Sequence, residues 1–240
     1  MNSRQHVIFA GTDLSNYGVY ISGSGVYNAP ERSYEEIIVP GRNGTLYGDE
    51  KRMGNVEVTY PAFIHTDFDN NARALRSFLL SKVGYQRLQD TYHPDEFRQA
   101  IYHGGTEFEM TQKLDAGKFD LVFDCKPQRF LLSGEETVTF TSAGTLTNPT
   151  AFNAKPMIRA YGVGSFTIGS TTVTVASLLL GGTFTDFDCD IMEAFCGNSQ
   201  RNHAISITGS NDFPVLVPGE NEISMTGITK LEIIPRWFNI

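Results

Sequence analysis

Three aspartates alternate along Thr185–Ile191, read T-D-F-D-C-D-I, and they form the densest set of potential ligands in the chain. On a strand, Asp186, Asp188 and Asp190 share one face, and Phe187, Cys189 and Ile191 share the other. Several carboxylate oxygens suit a hard cation such as calcium. Same-face residues on one strand stand about 7 Å apart at each step, too far to converge on one ion without a loop. The stretch also lacks the loop glycine and final glutamate of an EF-hand, so a solvated sheet face is the expected role. His65, Asp67 and Asp69 could be read as a second cluster, but both acids stand where a helix begins and serve as candidate caps. His93-Pro94-Asp95-Glu96 lacks the spacing of a zinc-binding helix, and Pro94 is unsuited to a helix interior.

Covalent chemistry finds no better footing. The chain carries no G-x-S-x-G elbow and no cysteine with a convincing histidine partner. There is no P-loop and no strand-linked G-x-G-x-x-G, and Gly162-Val163-Gly164 reads as a turn between short strands. Carboxylates distant in sequence can meet as a glycosidase pair, which sequence alone leaves open. Tyr161, Trp237 and Phe238 could stack on sugars or belong to a core or an interface. Cys125, Cys189 and Cys196 are too few and too irregularly spaced for a disulfide framework, and read as small buried residues of a chain made in a reducing cytosol. The sequence therefore assigns no catalytic residue, no metal ligand and no cofactor.

The elements that position these residues are mostly strands. Seventeen Phe and ten Tyr in 240 residues favour β-structure with extensive burial. Short strands are expected at Val7–Gly11 and Gly18–Ser22. A helix is expected over about Asn70–Lys82, with Ala72, Leu75, Phe78 and Leu79 on one face and Gly84 as its stop. Strands resume in G-Y-Q-R-L-Q-D, Q-A-I-Y-H-G-G and the long run from Glu107 to Pro127. In Lys118–Asp124, Phe119, Leu121 and Phe123 alternate with Asp120 and Asp124. Charged residues then fall from 31 in the first 132 positions to 15 in the last 108. That change places a boundary near Leu132, giving domains 1–132 and 133–240. The first is an α+β unit, a split β-barrel or sheet with one packed helix. The second has about seven short strands with regular turn signals and is expected to be a β-sandwich. The fold class is mainly β.

The segment Ile37–His65 stands apart. It reads as a strand, a glycine turn, a charged extension and another strand, with Pro40-Gly41 and Asn43-Gly44 as turn dipeptides. Asn-Gly suits the positive φ angles of a narrow hairpin. The expectation is a protruding hairpin arm, about 37–65, that needs a neighbour to cover it. A net charge of −8 argues against a general phosphate-binding surface. No run approaches the ~18 apolar residues of a membrane span, and the first residues show no secretory signal, so no membrane insertion is expected.

Several of these stretches fall in a family order. Phe9, Gly11, Asp13, Leu14, Ser15, Tyr17, Gly18 and Val19 supply F-x-G-x-D-L-S-x-Y-G-V. V-P-G-R-N-G-T-L follows at Val39–Leu46, then V-E-V-T-Y, then a helix ending in L-R-S-F-L. N-P-T-A-F-N-A-K-P-M-I-R and F-P-x-L-x-P-G-E-N-E-I follow in the second half. This order resembles the siphovirus tail component family, the distal tail proteins of siphophages and prophages of Gram-positive bacteria. The resemblance implies a homo-oligomer, usually a hexameric ring, around a channel through which DNA passes without specific binding. It implies arms linking adjacent subunits like a belt, and a galectin-like sandwich outside the ring. The implied partners are the tail tube protein, the tail-associated hub protein and receptor-binding proteins. The implied place is the virion tail tip, after assembly in the host cytoplasm. The residues expected to carry the inter-subunit contact are Pro40, Gly41, Arg42, Asn43, Gly44, Lys51 and Arg52. Arg42, Lys51 and Arg52 are expected to pair with carboxylates of the next subunit. The competing expectation is a carbohydrate-binding module that recognises host cell-surface saccharide.

Overall fold

The computed structural model describes residues 4–23, 25–111, 115–209 and 212–240. Gln112, Lys113 and Leu114, inside the expected Glu107–Pro127 strand run, lie outside the described residues. The chain divides into two compact units, Met1–Arg129 with Ile240, and Phe130–Asn239.

In the first unit, strands β1 (Val7–Phe9), β2 (Thr12–Asp13), β3 (Val19–Ile21), β4 (Arg32–Ile37), β5 (Leu46–Met53) and β6 (Val56–Ile64) precede helix α1 (Phe68–Leu80). Strands β7 (Gln86–Asp90), β8 (Glu96–Ile101), β9 (Glu109–Thr111) and β10 (Ala116–Cys125) follow it. The main sheet runs β2-β1-β7-β8-β10-β6-β3, with β9 on β10. Its spine is the antiparallel β6–β10 pair, in register from Cys125 opposite Val56 to Gly117 opposite Ile64. Both strands alternate. Val56, Val58, Tyr60, Ala62 and Ile64 of β6, and Phe119, Leu121, Phe123 and Cys125 of β10, are buried. The intervening Glu57, Pro61, Lys118 and Asp120 are exposed. Period-two burial of this kind gives one core face and one free face. The α1 residues Phe68, Leu75 and Leu79 belong to the same core cluster, with Ala72 and Phe78 packed at its border. Phe123 sits at its centre, with ring centroids 5.0 Å from Phe9, 5.8 Å from Tyr102 and 6.2 Å from Tyr60.

The start of α1 departs from expectation. Asp67 stands at the cap position with φ +48° and makes no capping hydrogen bond. The cap comes from Asp115 instead, whose carboxylate accepts from the backbone N–H of Asp67 at 2.9 Å and of Phe68 at 3.1 Å. Helix N-termini need such acceptors because their first N–H groups lack intrahelical partners. Asp115→Ala is expected to destabilise the chain by about 1 kcal/mol, the usual cost of a lost cap. Urea titration followed by circular dichroism measures it, and an unchanged midpoint would contradict the assignment.

The second unit is a sandwich. After β11 (Arg129–Leu131) come β12 (Val138–Phe140), β13 (Gly144–Asn148), β14 (Met157–Tyr161), β15 (Gly164–Ile168), β16 (Thr171–Val175), β17 (Phe184–Asp188), β18 (Glu193–Cys196), β19 (Ser199–Gln200), β20 (Ile205–Thr208), β21 (Gly219–Thr226) and β22 (Lys230–Ile234). One sheet runs β12-β22-β14-β17-β18-β19 and the other β13-β21-β15-β16-β20. Their inner faces share one core, in which Phe166 of β15 meets Phe187 of β17 edge-on at 5.4 Å. Gly162-Val163-Gly164 is the turn that carries the chain from one sheet to the other. Gly164 has φ +146°, and a Cβ there would stand 2.2 Å from the carbonyl oxygen of Thr226, so only glycine fits.

Candidate functional site

The hairpin is the most exposed regular element of the first unit. β4 and β5 pair with each other, from Ile37 opposite Leu46 down to Arg32 opposite Met53, with a register shift between Arg32 and Tyr34. They form a two-stranded sheet of their own, and among the described residues no other strand joins it. No residue from Arg32 to Met53 is buried. A lone two-stranded ribbon is marginal in water, and open strand edges invite pairing with another chain. Ile37, Ile38, Val39, Leu46, Tyr34 and Tyr47 are all exposed, Ile38 at 78%. Singly such residues mean little, but six along one protrusion form an apolar surface awaiting cover.

The bounds differ from the sequence expectation. The hairpin is Arg32–Met53, whereas Val56–Ile64 is the central strand of the main sheet. The stretch expected as a charged extension is β5 itself. Nor is Asn43-Gly44 a narrow two-residue turn. Residues 38–45 form a longer loop in which Gly41 (φ +81°) and Gly44 (φ +86°) adopt positive φ and Asn43 does not. A turn inside it closes through the Arg42 N–H and the Val39 carbonyl oxygen at 3.1 Å. Pro40, Gly41, Arg42, Asn43 and Gly44 thus sit together at the exposed tip, while Lys51 and Arg52 lie on β5 near the root.

One ion pair stiffens the root. Arg32 Nε donates to Asp49 Oδ1 at 3.0 Å, its Nη2 donates to Oδ2, and the Lys51 N–H also donates to Oδ1 at 2.9 Å. The hydrogen bond from Arg32, aided by the Lys51 N–H, holds the Asp49 carboxyl at a pKa of about 2. A depressed carboxylate favours the folded hairpin above its ordinary pKa near 4, and that contribution disappears as pH falls through about 2. The Asp49 side-chain carbon should therefore titrate near pH 2 by NMR, and a midpoint near 4 would show that the pair does not form.

The other candidate chemical groups are held by partners of their own. Asp186 is 3% exposed and takes Arg159 in a bidentate pair, at 2.6 Å to Nε and 2.9 Å to Nη2. Asp188 is bidentate with Arg236 at 2.8 and 3.1 Å, and Asp190 meets Lys155 at 3.1 Å. Burial works against the Asp188 carboxylate, but hydrogen bonds from Arg236 and the Asp190 N–H outweigh it and keep its pKa below the usual range. The aspartate face is therefore a row of ion pairs and not the bare solvated face expected. Among the described residues no group of three His, Cys, Asp or Glu side chains could hold a metal. His65 Nε2 lies 2.8 Å from Arg4 Nη1, and Asp67 accepts from Asn70. His93 is tied to Asp90 through its N–H at 2.8 Å and its Nδ1 at 3.1 Å, while Tyr60 donates to the same carboxylate at 2.7 Å.

Trp237 is buried in the sandwich core, Phe238 is stacked on Phe152 at 5.6 Å, and Tyr161 carries Lys230 over its ring at 3.9 Å. The sugar-stacking candidates thus already spend ring faces on the protein. All three cysteines are free, Cys125 and Cys189 buried and Cys196 half-buried. Burial pushes both buried thiols up to about 12.

The family-like stretches also have structural work. Asp13 caps a short 3₁₀ turn over Leu14–Tyr17, and Gly18 ends it at φ +67°. Asn148 and Asn221, each 2% exposed, lie one in each second-half stretch. Asn148 Nδ2 donates to the carbonyls of Phe152 and Leu216, and Asn221 Oδ1 accepts from the Val217 N–H. These two buried amides fasten the loops of both stretches. Sequence reading missed their role; for Asn148 the signal available was the Pro that follows it, while Asn221, between Glu220 and Glu222, carried none.

This fold has counterparts among solved structures. Over 96% of its length, the chain matches 98% of the crystal structure of the SPP1 Dit protein with a TM-score of 0.73 at 15% identity. That protein is described as a paradigm of the hub adsorption apparatus in phages infecting Gram-positive bacteria. Over the same 96% of its length, the chain matches 97% of a chain in structures of the phage P2 baseplate in its activated conformation, with TM-scores of 0.55 (with Ca, 9% identity) and 0.53 (with Sr, 8% identity). The chain has the fold of these phage proteins. No family model and no curated sequence matches it.

Proposed function

We propose that this chain is a structural distal tail protein of a siphophage, and that it works as a ring rather than as a single molecule. The observation that carries the reading is the hairpin Arg32–Met53, a ribbon with two unpaired edges and six exposed apolar side chains. A contact that repeats one patch against a different patch by rotation closes into a ring. The fold shared with SPP1 Dit and with the P2 baseplate supports a place at the tail tip, and the expected hexamer is the reading carried over from the family resemblance. In that setting the ring joins the tail tube protein to the hub protein and leaves a central channel. The sandwich units stand outside and dock receptor-binding proteins. The net charge of −8 suits a passage that DNA crosses without sticking, because carboxylates repel phosphates. The role rests on shape and contact, without catalysis. Among the described residues no helix is long and apolar enough to cross a membrane.

Multi-angle light scattering of the full chain over a range of concentrations tests this reading. A discrete oligomer that persists on dilution is expected, and a monomer at every concentration would refute it.

A further inference from the structure

A buried charge stands at the border of the first unit's core. Arg98 of β8 lies opposite Leu88 of β7 and two residues from Ala100, and both of these belong to that core. The pleat therefore turns the Arg98 side chain to the same face. Arg98 is 7% exposed, and its Nη1 is buried with no hydrogen-bond partner among the described residues. Burial, and then the charge of Arg129, lower its pKa from the ordinary arginine value. A desolvated guanidinium without an acceptor is costly, and an anion offsets that cost. Arg98 lines a cavity of about 20 Å³, which has room for one water-sized body and excludes polyatomic anions. Tyr60, Asp90, His93, Glu96 and Arg129 line it too.

The carboxylates of the cavity already have partners. Glu96 Oε2 stands 3.5 Å from Arg129 Nη1. Asp90 accepts from the Tyr60 hydroxyl and the His93 N–H, and its Oδ1 lies 3.1 Å from His93 Nδ1. An ionised carboxylate only accepts, so His93 Nδ1 holds a proton. His93 Nε2, also buried and without a partner, is the atom at which a second proton comes and goes. With Nε2 bare, Arg98 and Arg129 balance Asp90 and Glu96. A proton on Nε2 leaves one positive charge over and turns an acceptor into a second donor. Tyr60 and Tyr92 are raised above the ordinary phenol value and the Cys125 thiol is pushed up to about 12, so none of them adds charge. We propose that the cavity binds one monatomic anion, chloride in practice, together with a proton on His93 Nε2, with Arg98 Nη1 and His93 Nε2 as its donors. The site also touches the approach to the hairpin. Arg129 Nη2 donates to the Val26 carbonyl oxygen at 2.9 Å, and the Tyr27 ring meets the His93 ring edge-on at 5.1 Å.

Urea unfolding of the full chain in sodium chloride and in sodium gluconate, at equal ionic strength, tests the site. Gluconate is too bulky to enter. At about pH 5, where histidine is ordinarily charged, chloride should raise the unfolding midpoint, and more chloride should raise it further. At about pH 8 the two salts should give the same midpoint. Arg98→Met should abolish the chloride effect at the lower pH. A chloride effect that survives Arg98→Met would mean an adventitious ion only and would overturn the proposal. An effect of equal size at both pH values would overturn the coupling to His93, and no effect at either would overturn the site. Bromide diffraction on crystals of the unmodified chain gives a second test that does not depend on the variant folding. An anomalous peak within hydrogen-bond reach of Arg98 Nη1 and His93 Nε2 is expected at about pH 5 and not at about pH 8. A water in the cavity at both pH values would contradict the proposal.

Discussion

A chain with Glu31 joined directly to Gly54, lacking Arg32–Met53, is expected to fold normally and to run as a monomer under conditions in which the full chain is oligomeric. The two ends are already in contact through the Gly54–Glu31 hydrogen bond at 2.9 Å, so the join needs no rearrangement. The core of the first unit draws no residue from the segment removed, since its members pass from Ile21 and Val26 directly to Val56. Shortening a connection of this kind changes stability by about 1 kcal/mol or less. Assembly should be lost outright, because the deletion removes both free edges of β4 and β5 and every exposed apolar side chain of the ribbon. Circular dichroism and light scattering read the two effects separately. A deleted chain that keeps the full oligomer would show that the ribbon is not the connecting element.

The second large effect is expected in the sandwich. Arg159→Ala should cost the second unit about 1.5–3 kcal/mol, the range for losing hydrogen bonds to a charged group. Asp186 is 3% exposed because the guanidinium covers it, and it loses both hydrogen bonds of the bidentate pair when Arg159 is truncated. The change also removes the stacking of Arg159 on the Phe184 ring, at 4.1 Å. The reverse change, Asp186→Ala, should cost less, because the Arg159 side chain is 41% exposed and water can take over its hydrogen bonds. The double variant should be more stable than Arg159→Ala alone, since no charge is then left buried. Fluorescence of Trp237, the single tryptophan and a member of the sandwich core, reports this unit's unfolding in the full chain. A loss below 1 kcal/mol for Arg159→Ala would show that the pair does not hold Asp186 in place.

What could be read from the sequence followed from local periodicity. The alternation of Phe119, Leu121 and Phe123 with Asp120 is the alternation of core and free faces on β10. The apolar stripe of the helix is the buried stripe of α1, which begins two residues before the expected Asn70 and ends two before Lys82. The mainly β character and the one long helix among the described residues were legible for the same reason. Features set by distant partners were not. Asp115 caps a helix that starts 47 residues earlier, and nothing around Asp115 announces it. Arg159, Arg236 and Lys155 neutralise an aspartate row to which none of them is adjacent in sequence.

The hairpin shows both sides of this limit. Its turn residues were visible, but β4 buries neither face, so R-S-Y-E-E-I gave no strand signal. Val56–Ile64 alternates as a ribbon strand would, and only its pairing with β10 makes it part of the core. Seven candidate contact residues consequently separate into five at the tip and two at the root.

The measurement that bears most directly on the whole account is electron microscopy of the purified full-length chain. Closed annular particles with an open centre, six-fold in the expected case, are predicted. A field of single molecules at high concentration, each with its glycine-tipped ribbon laid back on its own first unit, would contradict it.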